Sequence, residues 1–519
     1  MTLMITPQEL SRLTRLAVYP RSVTEHGGTF YFLARRGQEK VLGLLAQERS
    51  LLGSFVGDEH DTWVGGDDGQ GMILKLCPTE HSNAAALRVA LPFTSPQVVG
   101  VRKSVGCGDR LGLATPGHVR AMRGILRLGH QPGPSGQTGI TPIFAQQSIR
   151  EMTRTGRTPD RVMDDATWGV FQEGWREGFG ADADHLKVIA DVDVCVDAGF
   201  TMYTIDPGDH VDDDAAMASP TELSQRVEAL PWDVLESSPQ AIRAAYLSRS
   251  FDLGTFALTF TERELLLAAA KYGRAVAHTV TMYRHLANRM GNQVFELEMS
   301  VDETATPTTT HEHFFVANEL RRLDVRWVSL APRFVGRFEK GVDYIGDLKP
   351  LEADLTWHAA VARALGPYKL SVHSGSDKFS IYPIIARVAG DLVHLKTAGT
   401  SYLEALRAVA TIDPALFREI LTFAEGRYET DKASYHVSAD PRRFPDPRRL
   451  ADDELSGVLD TFDGRQLLHV TFGSVLTTRD DTGGYRFRDR LLAALSAEEE
   501  LYYTLLESHI GRHLAPFAA

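Results

Sequence analysis

Beyond about residue 99, the hydrophobic positions of the chain switch repeatedly between short apolar runs and a 3.6-residue period. The short runs predict strands at 104–113, 140–147, 184–188, 200–205, 294–301, 326–333, 368–373 and 392–397. Helical periodicity lies between them, at 118–128, 314–323, 355–365 and 379–388. Eight strands alternating with helices predict an α/β fold of the (β/α)8 TIM-barrel type, with a doubly wound open sheet as the alternative. The second arrangement would carry a GxGxxG turn after its first strand if it held a dinucleotide. Gly106-Cys-Gly108-Asp-Arg110 has two of those glycines and lacks the third, which favours the barrel.

The remainder of the chain reads as additions to that unit. Residues 1–98 show strand-like runs at 29–34, 40–45 and 72–76 around the Gly-rich turn 65–69, a small α+β region. The barrel is expected over 99–410. Helical patterns at 150–157 and 162–173 lengthen one connection, and an insertion at 207–293, with a helix at 262–288, follows the fourth strand. An insertion at that end of a strand is expected to form a lid or side wall of the active-site face. Residues 411–519 are expected to be a helical extension packed on the barrel. Helices are read at 402–410, 414–426, 452–460, 487–497 and 498–513.

Composition changes the picture mainly by exclusion. Of 519 residues 43% are hydrophobic and 24% charged, as in an ordinary globular enzyme. The formal net charge of −13 and the lack of a basic run argue against a nucleic-acid partner. No apolar run approaches the roughly 20 residues of a membrane helix, and Met1-Thr-Leu-Met-Ile-Thr6 leads into a polar segment, unlike a signal peptide. Cys77, Cys107 and Cys195 are far apart and form no CxxC pair. Together these features predict a soluble, cytoplasmic protein.

The candidate chemistry gathers where strands end. Tyr368–Val372 leads into His373, and Ser374, Gly375, Ser376, Asp377 and Lys378 fill the turn before the next helix. Asp184-His185-Leu-Lys187 lies on the third strand, Asp206 and Asp209-His210 follow the fourth, and His394-Leu-Lys396-Thr397 is on the eighth. On the fifth strand, Glu296, Glu298, Ser300 and Asp302 are two apart and share one face. Several carboxylates aimed into a barrel need compensation, from Lys187, Lys378 or Lys396 or from a bound cation. Buried Glu–Lys pairs with a purely structural role are the bland alternative. Imidazoles from different strand ends with a carboxylate form the usual divalent-metal site. His185 and His373 are the leading ligands, and Glu339, His313 and His394 are candidates for the third. His311-Glu-His313 is weaker, because two positions apart diverge on a helix.

Four segments together carry a resemblance. Gly106-Cys-Gly-Asp-Arg-Leu-Gly-Leu-Ala-Thr-Pro-Gly-His118, Gly180-Ala-Asp-Ala-Asp-His-Leu-Lys187, Phe338-Glu-Lys-Gly-Val-Asp-Tyr-Ile-Gly-Asp347 and Lys369-Leu-Ser-Val-His-Ser-Gly-Ser-Asp-Lys378 resemble the tagaturonate epimerase family. The resemblance covers most of the chain beyond about residue 100. It implies interconversion of D-tagaturonate and D-fructuronate in bacterial hexuronate catabolism, with a divalent metal (zinc, manganese, nickel, cobalt or iron) as cofactor. It also implies Asp184 and Glu298 as the acid and base and His185, His373 and Glu339 as metal ligands. Substrate contacts are expected from Asp109, Arg110, Lys187, Ser374, Asp377, Lys378, Lys396 and Thr397, with a lysine on the substrate carboxylate. The implied partner is a small keto-hexuronate, and a homo-oligomer is left open. A metal-dependent aldolase or keto-sugar isomerase would use nearly the same residues, and a non-catalytic sugar-acid binding protein is the distant third reading.

The chemistry asks for such groups. The inverted carbon is two bonds from the ketone, so enolisation does not acidify its C–H. Reversible C–C cleavage does reach it, using a Lewis acid for the oxygens and two acid–base groups for the protons.

Overall fold

A computed structural model describes residues 5–64, 70–127, 139–444 and 446–518. The Gly-rich turn 65–69 and Leu128, at the end of one expected helix, lie outside the described residues.

Eight parallel strands close into a barrel: β1 (Ser104–Cys107), β2 (Thr141–Ser148), β3 (Gly180–Leu186), β4 (Met202–Ile205), β5 (Glu296–Ser300), β6 (Ser329–Ala331), β7 (Lys369–Val372) and β8 (Val393–Thr397). They pair in chain order, and β8 closes on β1 with Lys396 opposite Gly106. All eight predicted strands are present, and their limits move by three residues or fewer except in two. β1 stops at Cys107, because Asp109 turns back to accept the N–H groups of Leu111, Gly112 and Ala114. β3 starts four residues before the expected position, at Gly180. Gly-Ala-Asp-Ala-Asp has little intrinsic strand preference, so only pairing with β2 and β4 makes it one.

Helices surround the barrel, and their apolar faces merge with the outward faces of the strands in one core. The N-terminal residues form an antiparallel sheet whose main strands are Thr29–Arg36, Glu39–Ala46, Gln70–Pro78 and Asp58–Val64. Tyr31, Leu33, Leu42 and Leu44 on one face pack with Trp168 and Phe171 of the barrel helix Pro159–Glu173. Leu10 of helix Pro7–Thr14 covers the other face.

The insertion after β4 holds helices Pro220–Glu228 and Pro239–Tyr246, a hairpin (Ser250–Asp252 with Ala257–Thr259) and the 29-residue helix Glu262–Met290. It packs outside the barrel and lends no residue to the cavity at the mouth, where a lid or wall was expected. The C-terminal helices do that instead. Helices Thr400–Ile412, Pro414–Asp431, Phe462–Val470, Phe472–Thr477 and Arg488–Ala497 build a second core of their own. The last helix, Glu499–Leu514, returns to the barrel helix Thr115–Arg127, where a Cβ on Gly117 would lie 2.6 Å from Leu506. Residues 452–460, read as helical, form a 3-10 helix. Among the described residues, no helix is long and apolar enough to cross a membrane.

Candidate active site

Closure of the barrel stacks its inward side chains in layers. Low in the barrel, the Lys369 ammonium donates to Ser104 Oγ (3.0 Å), which also meets His394 Nδ1 (2.9 Å). Above them the Lys396 ammonium is surrounded by acceptors: Asp182 Oδ2 and Asp184 Oδ1 at 2.7 Å, Glu298 Oε1 at 2.8 Å and Thr204 Oγ1 at 2.8 Å. The alternation expected on β5 holds, and Glu298, Ser300 and Asp302 rise along one inner face. At the mouth, His373 Nε2 meets Glu298 Oε1 at 2.6 Å, and His185 Nδ1 meets Asp184 Oδ1 at 2.8 Å. One oxygen of Asp302 sits 3.3 Å from His373 Nδ1 and 3.6 Å from His185 Nε2.

Asp184 and His185 are adjacent, so in a regular strand they would face opposite sides. His185 has φ +56°, and the β3–β4 register shifts beside it, so both side chains line the cavity. A left-handed non-glycine residue is uncommon and points to a functional demand.

The electrostatics follow from this crowding. Burial pushes Asp182 up to about 6, helped by the nearby Asp184 and Glu298 charges and opposed by Lys396. Burial acts the same way on Asp184 and Glu298, but His185 and Lys396 hold the first, and Lys396 and His373 the second, well below the usual carboxylate range. Asp302 is likewise held low against burial by His373 and His185. Burial opposes the charged form of His185, yet Asp184 and Asp302 raise it well above an ordinary imidazole. Lys396 is therefore an ammonium, Asp184 and Glu298 are ionised, and Asp182 is the carboxylate of the group that most readily takes a proton.

A divalent cation fits this donor set. Ligand atoms of Asp184, His185 and His373 lie within 4.8 Å of one another, and His185 Nε2 is buried with no hydrogen-bond partner. The acidic surroundings that hold the His185 imidazolium suit a cation equally well. Glu339 is not in the cluster; its carboxylate accepts from Ser438 Oγ (2.7 Å) and Gln466 Nε2 (2.8 Å) at another part of the cavity. His394 is a layer below. His313 is outside the barrel, between Tyr368 Oη and His358 Nδ1, each at 2.8 Å.

The expected substrate contacts divide in the same way. A cavity of about 250 Å³ is lined by Asp302, Glu303, Arg333, Lys340, His373 and Ser374, among others. A narrow extension reaches Arg110, Arg150, Asp184, His185 and Lys396 and shares Lys340, His373, Ser374 and Tyr435 with it. Arg110 pairs with Glu151 (2.6 Å), and Ser374 Oγ accepts from Lys340 Nζ (2.6 Å). The other expected groups are engaged elsewhere. Asp109 caps its own loop, and Lys187 pairs with Asp209 at 2.8 Å on the outside. Thr397 donates to the Gly106 carbonyl. Lys378 gives its N–H groups to the carbonyls of Glu339, Val342 and Ser376. Asp377 joins Arg465 (2.8 Å) and His509 (2.6 Å) of the C-terminal layer. Of the three candidate compensators, only Lys396 meets the barrel carboxylates.

Sequence reasoning missed Asp182, Lys340, Arg333 and the C-terminal residues Tyr435 and His469. Asp182 shares the i, i+2 face of Asp184, a signal hidden by the late strand start. His469 reaches the mouth because Gly399 has no side chain; a Cβ there would lie 2.1 Å from His469 Nε2.

The chain matches the family model for tagaturonate epimerase over residues 19–517. It is 41% identical over 498 residues, 96% of each chain, to the tagaturonate/fructuronate epimerase of Thermotoga maritima. Crystal structures of the fructuronate-tagaturonate epimerase UxaE of Cohnella laeviribosi, native and with one glycerol bound, superpose with a TM-score of 0.88 at 39% identity, covering 98% of both chains. The chain belongs to the tagaturonate epimerase family.

Proposed function

We propose that the protein interconverts D-tagaturonate and D-fructuronate by reversible carbon–carbon cleavage at the barrel mouth, with a divalent cation held by His185, His373 and Asp184. The observation that carries this reading is the convergence of that triad and Lys396 on one cavity, with Glu298 held on the same ammonium. The cation, when bound, supplies Lewis-acid polarisation of the ketone and hydroxyl oxygens.

Asp184 lines the cavity and is ionised, which suits it to take the proton of the hydroxyl on the inverted carbon. The bond to the carbon beside the ketone then breaks, and its electron pair passes to that carbon as an enediolate, leaving an aldehyde. After the aldehyde turns, the enediolate carbon attacks its other face and the new hydroxyl recovers a proton. We assign the second acid–base role to Glu298. It touches the same ammonium as Asp184 and the Nε2 of His373, so protons can redistribute without solvent. The wall from Lys340 to Tyr435 keeps the fragments together. The three free, buried thiols suit a reducing cytoplasm.

The test is NMR of either keto-hexuronate incubated with the purified, metal-analysed protein. Conversion to the other epimer, with no three-carbon products accumulating, is expected. Accumulation of the cleaved fragments would turn the reading into that of an aldolase.

A further inference from the structure

The cavity has two chemically different sides. The acid–imidazole cluster occupies one, and the loop after β6 brings Arg333, Arg337 and Lys340 to the other. Among the described residues, four of the six lysines and arginines that line the cavity and its extension have a carboxylate of their own. Arg110 pairs with Glu151 at 2.6 Å, Arg150 with Glu303 at 2.9 Å, Arg337 with Glu339 at 3.4 Å, and Lys396 with three. Lys340 touches only the neutral Ser374 Oγ, and the anionic group it influences, Glu303, is already held by Arg150. Among the described residues, the Arg333 guanidinium, half-buried at the cavity wall, has no acceptor within hydrogen-bond or ion-pair distance.

Its backbone is fixed nonetheless. The Arg333 N–H donates to Thr308 Oγ1 (3.0 Å), and its carbonyl accepts the Thr308 N–H (2.8 Å). β6 lies between β5 and β7, so two residues beyond its end Arg333 stands between Asp302, two beyond β5, and His373, one beyond β7. An unpaired guanidinium carried on a fixed backbone and facing the cavity is a site for a planar anion, because its fork matches a carboxylate in two parallel hydrogen bonds.

We infer that Arg333, with Lys340 as a second positive charge, anchors the carboxylate of the keto-hexuronate and so selects acid sugars over neutral ones. The inference rests on the function proposed above and adds the orientation: carboxylate toward the β6 loop, ketone toward the His185–His373 pair. An anion there offsets a cation that the protein itself leaves unpaired, whereas a hydroxymethyl group would leave it so.

The experiment compares wild type, Arg333→Gln and Arg333→Lys in two ways. One arm measures kcat and KM for the keto-hexuronates. The other measures the rise in unfolding temperature given by the keto-hexuronate, by gluconate and by the neutral polyol glucitol. Arg333→Gln is expected to raise KM roughly 10–100-fold with a smaller change in kcat. It should also lose the stabilisation by the two acids, keep that by glucitol, and retain its metal content and its own unfolding temperature. Arg333→Lys should recover part of the KM loss.

Wild-type KM and wild-type acid stabilisation in Arg333→Gln would overturn the inference, as would wild-type protein that neither acid stabilises. If wild type fails to interconvert the keto acids, the proposed reaction falls. Acid stabilisation that depends on Arg333 would still uphold the anchor.

Discussion

Lys396 and Asp184 are separated by 212 residues in the chain and by 2.7 Å in the barrel. The same ammonium holds Asp182 and Glu298, so one lysine neutralises much of the charge of three buried carboxylates. Replacing it with methionine removes the compensation and leaves those charges without a partner. Lys396→Met is therefore expected to lose on the order of 3–5 kcal/mol of stability along with its activity. Adding Asp182→Asn should restore part of the stability, because one repelling charge is gone. Thermal unfolding of the single and double variants checks this; equal melting temperatures for the two would contradict it.

Metal binding separates the third-ligand candidates. His185→Ala and His373→Ala should each lose bound divalent metal and keep the fold, since both side chains sit at the mouth, outside the apolar core. Glu339→Ala should keep its metal, because that carboxylate is bound to Ser438 and Gln466. Metal analysis after dialysis gives the answer, and chelation should abolish turnover in wild type. Metal lost from Glu339→Ala, with the histidine variants still loaded, would move the site to the other side of the cavity.

The reaction path has an isotopic signature. In the cleavage route the C–H bond at the inverted carbon never breaks, so product formed in D2O should carry no deuterium there. Asp184→Asn, whose amide oxygen can still ligate the cation but cannot accept the hydroxyl proton, is expected to be roughly 10²–10⁴-fold slower. Deuterium at that carbon would replace cleavage with direct deprotonation.

Stability should depend on pH through buried neutral histidines. Burial pulls His118 down to about 4, and its Nε2 is 2.7 Å from Ser401 Oγ between two helices. In the unfolded chain an imidazole takes up a proton below its ordinary value of 6.5. The folded one stays neutral down to about 4, so the unfolded state binds more protons in that window. Acidification from 6.5 toward 4 therefore lowers stability, and this group adds no further loss below. His513, also pulled down to about 4 by burial, acts in the same sense. His118→Gln should shrink the loss by on the order of a few kcal/mol. Urea midpoints at about pH 7 and about pH 4.5 read it out, and an unchanged difference between them would refute the assignment.

Much of this architecture was legible in local pattern, because strand and helix periods are properties of a few neighbouring residues. The eight strands were found from short apolar runs. The shared face of Glu298, Ser300 and Asp302 needed only the two-residue pleat, and His373 and His185 stood out because a strand end is a local event. β3 was the partial failure, since Gly-Ala-Asp-Ala-Asp becomes a strand only between two others, and Asp182 stayed hidden with it.

Partnership was decided elsewhere. Lys187, Lys378 and Lys396 look alike in sequence, but only barrel closure brings Lys396 to the carboxylates, while Lys378 meets three carbonyls and Lys187 an outer aspartate. The C-terminal helices, not the long insertion, cover the mouth, and they occupy the sides of Glu339 and Asp377. The sequence alone determined where most of the strands lie and which end carries polar groups, because these depend on contacts along the chain. Only the tertiary structure decided which of those groups face one another, since an ion pair depends on distances between segments that nothing local encodes.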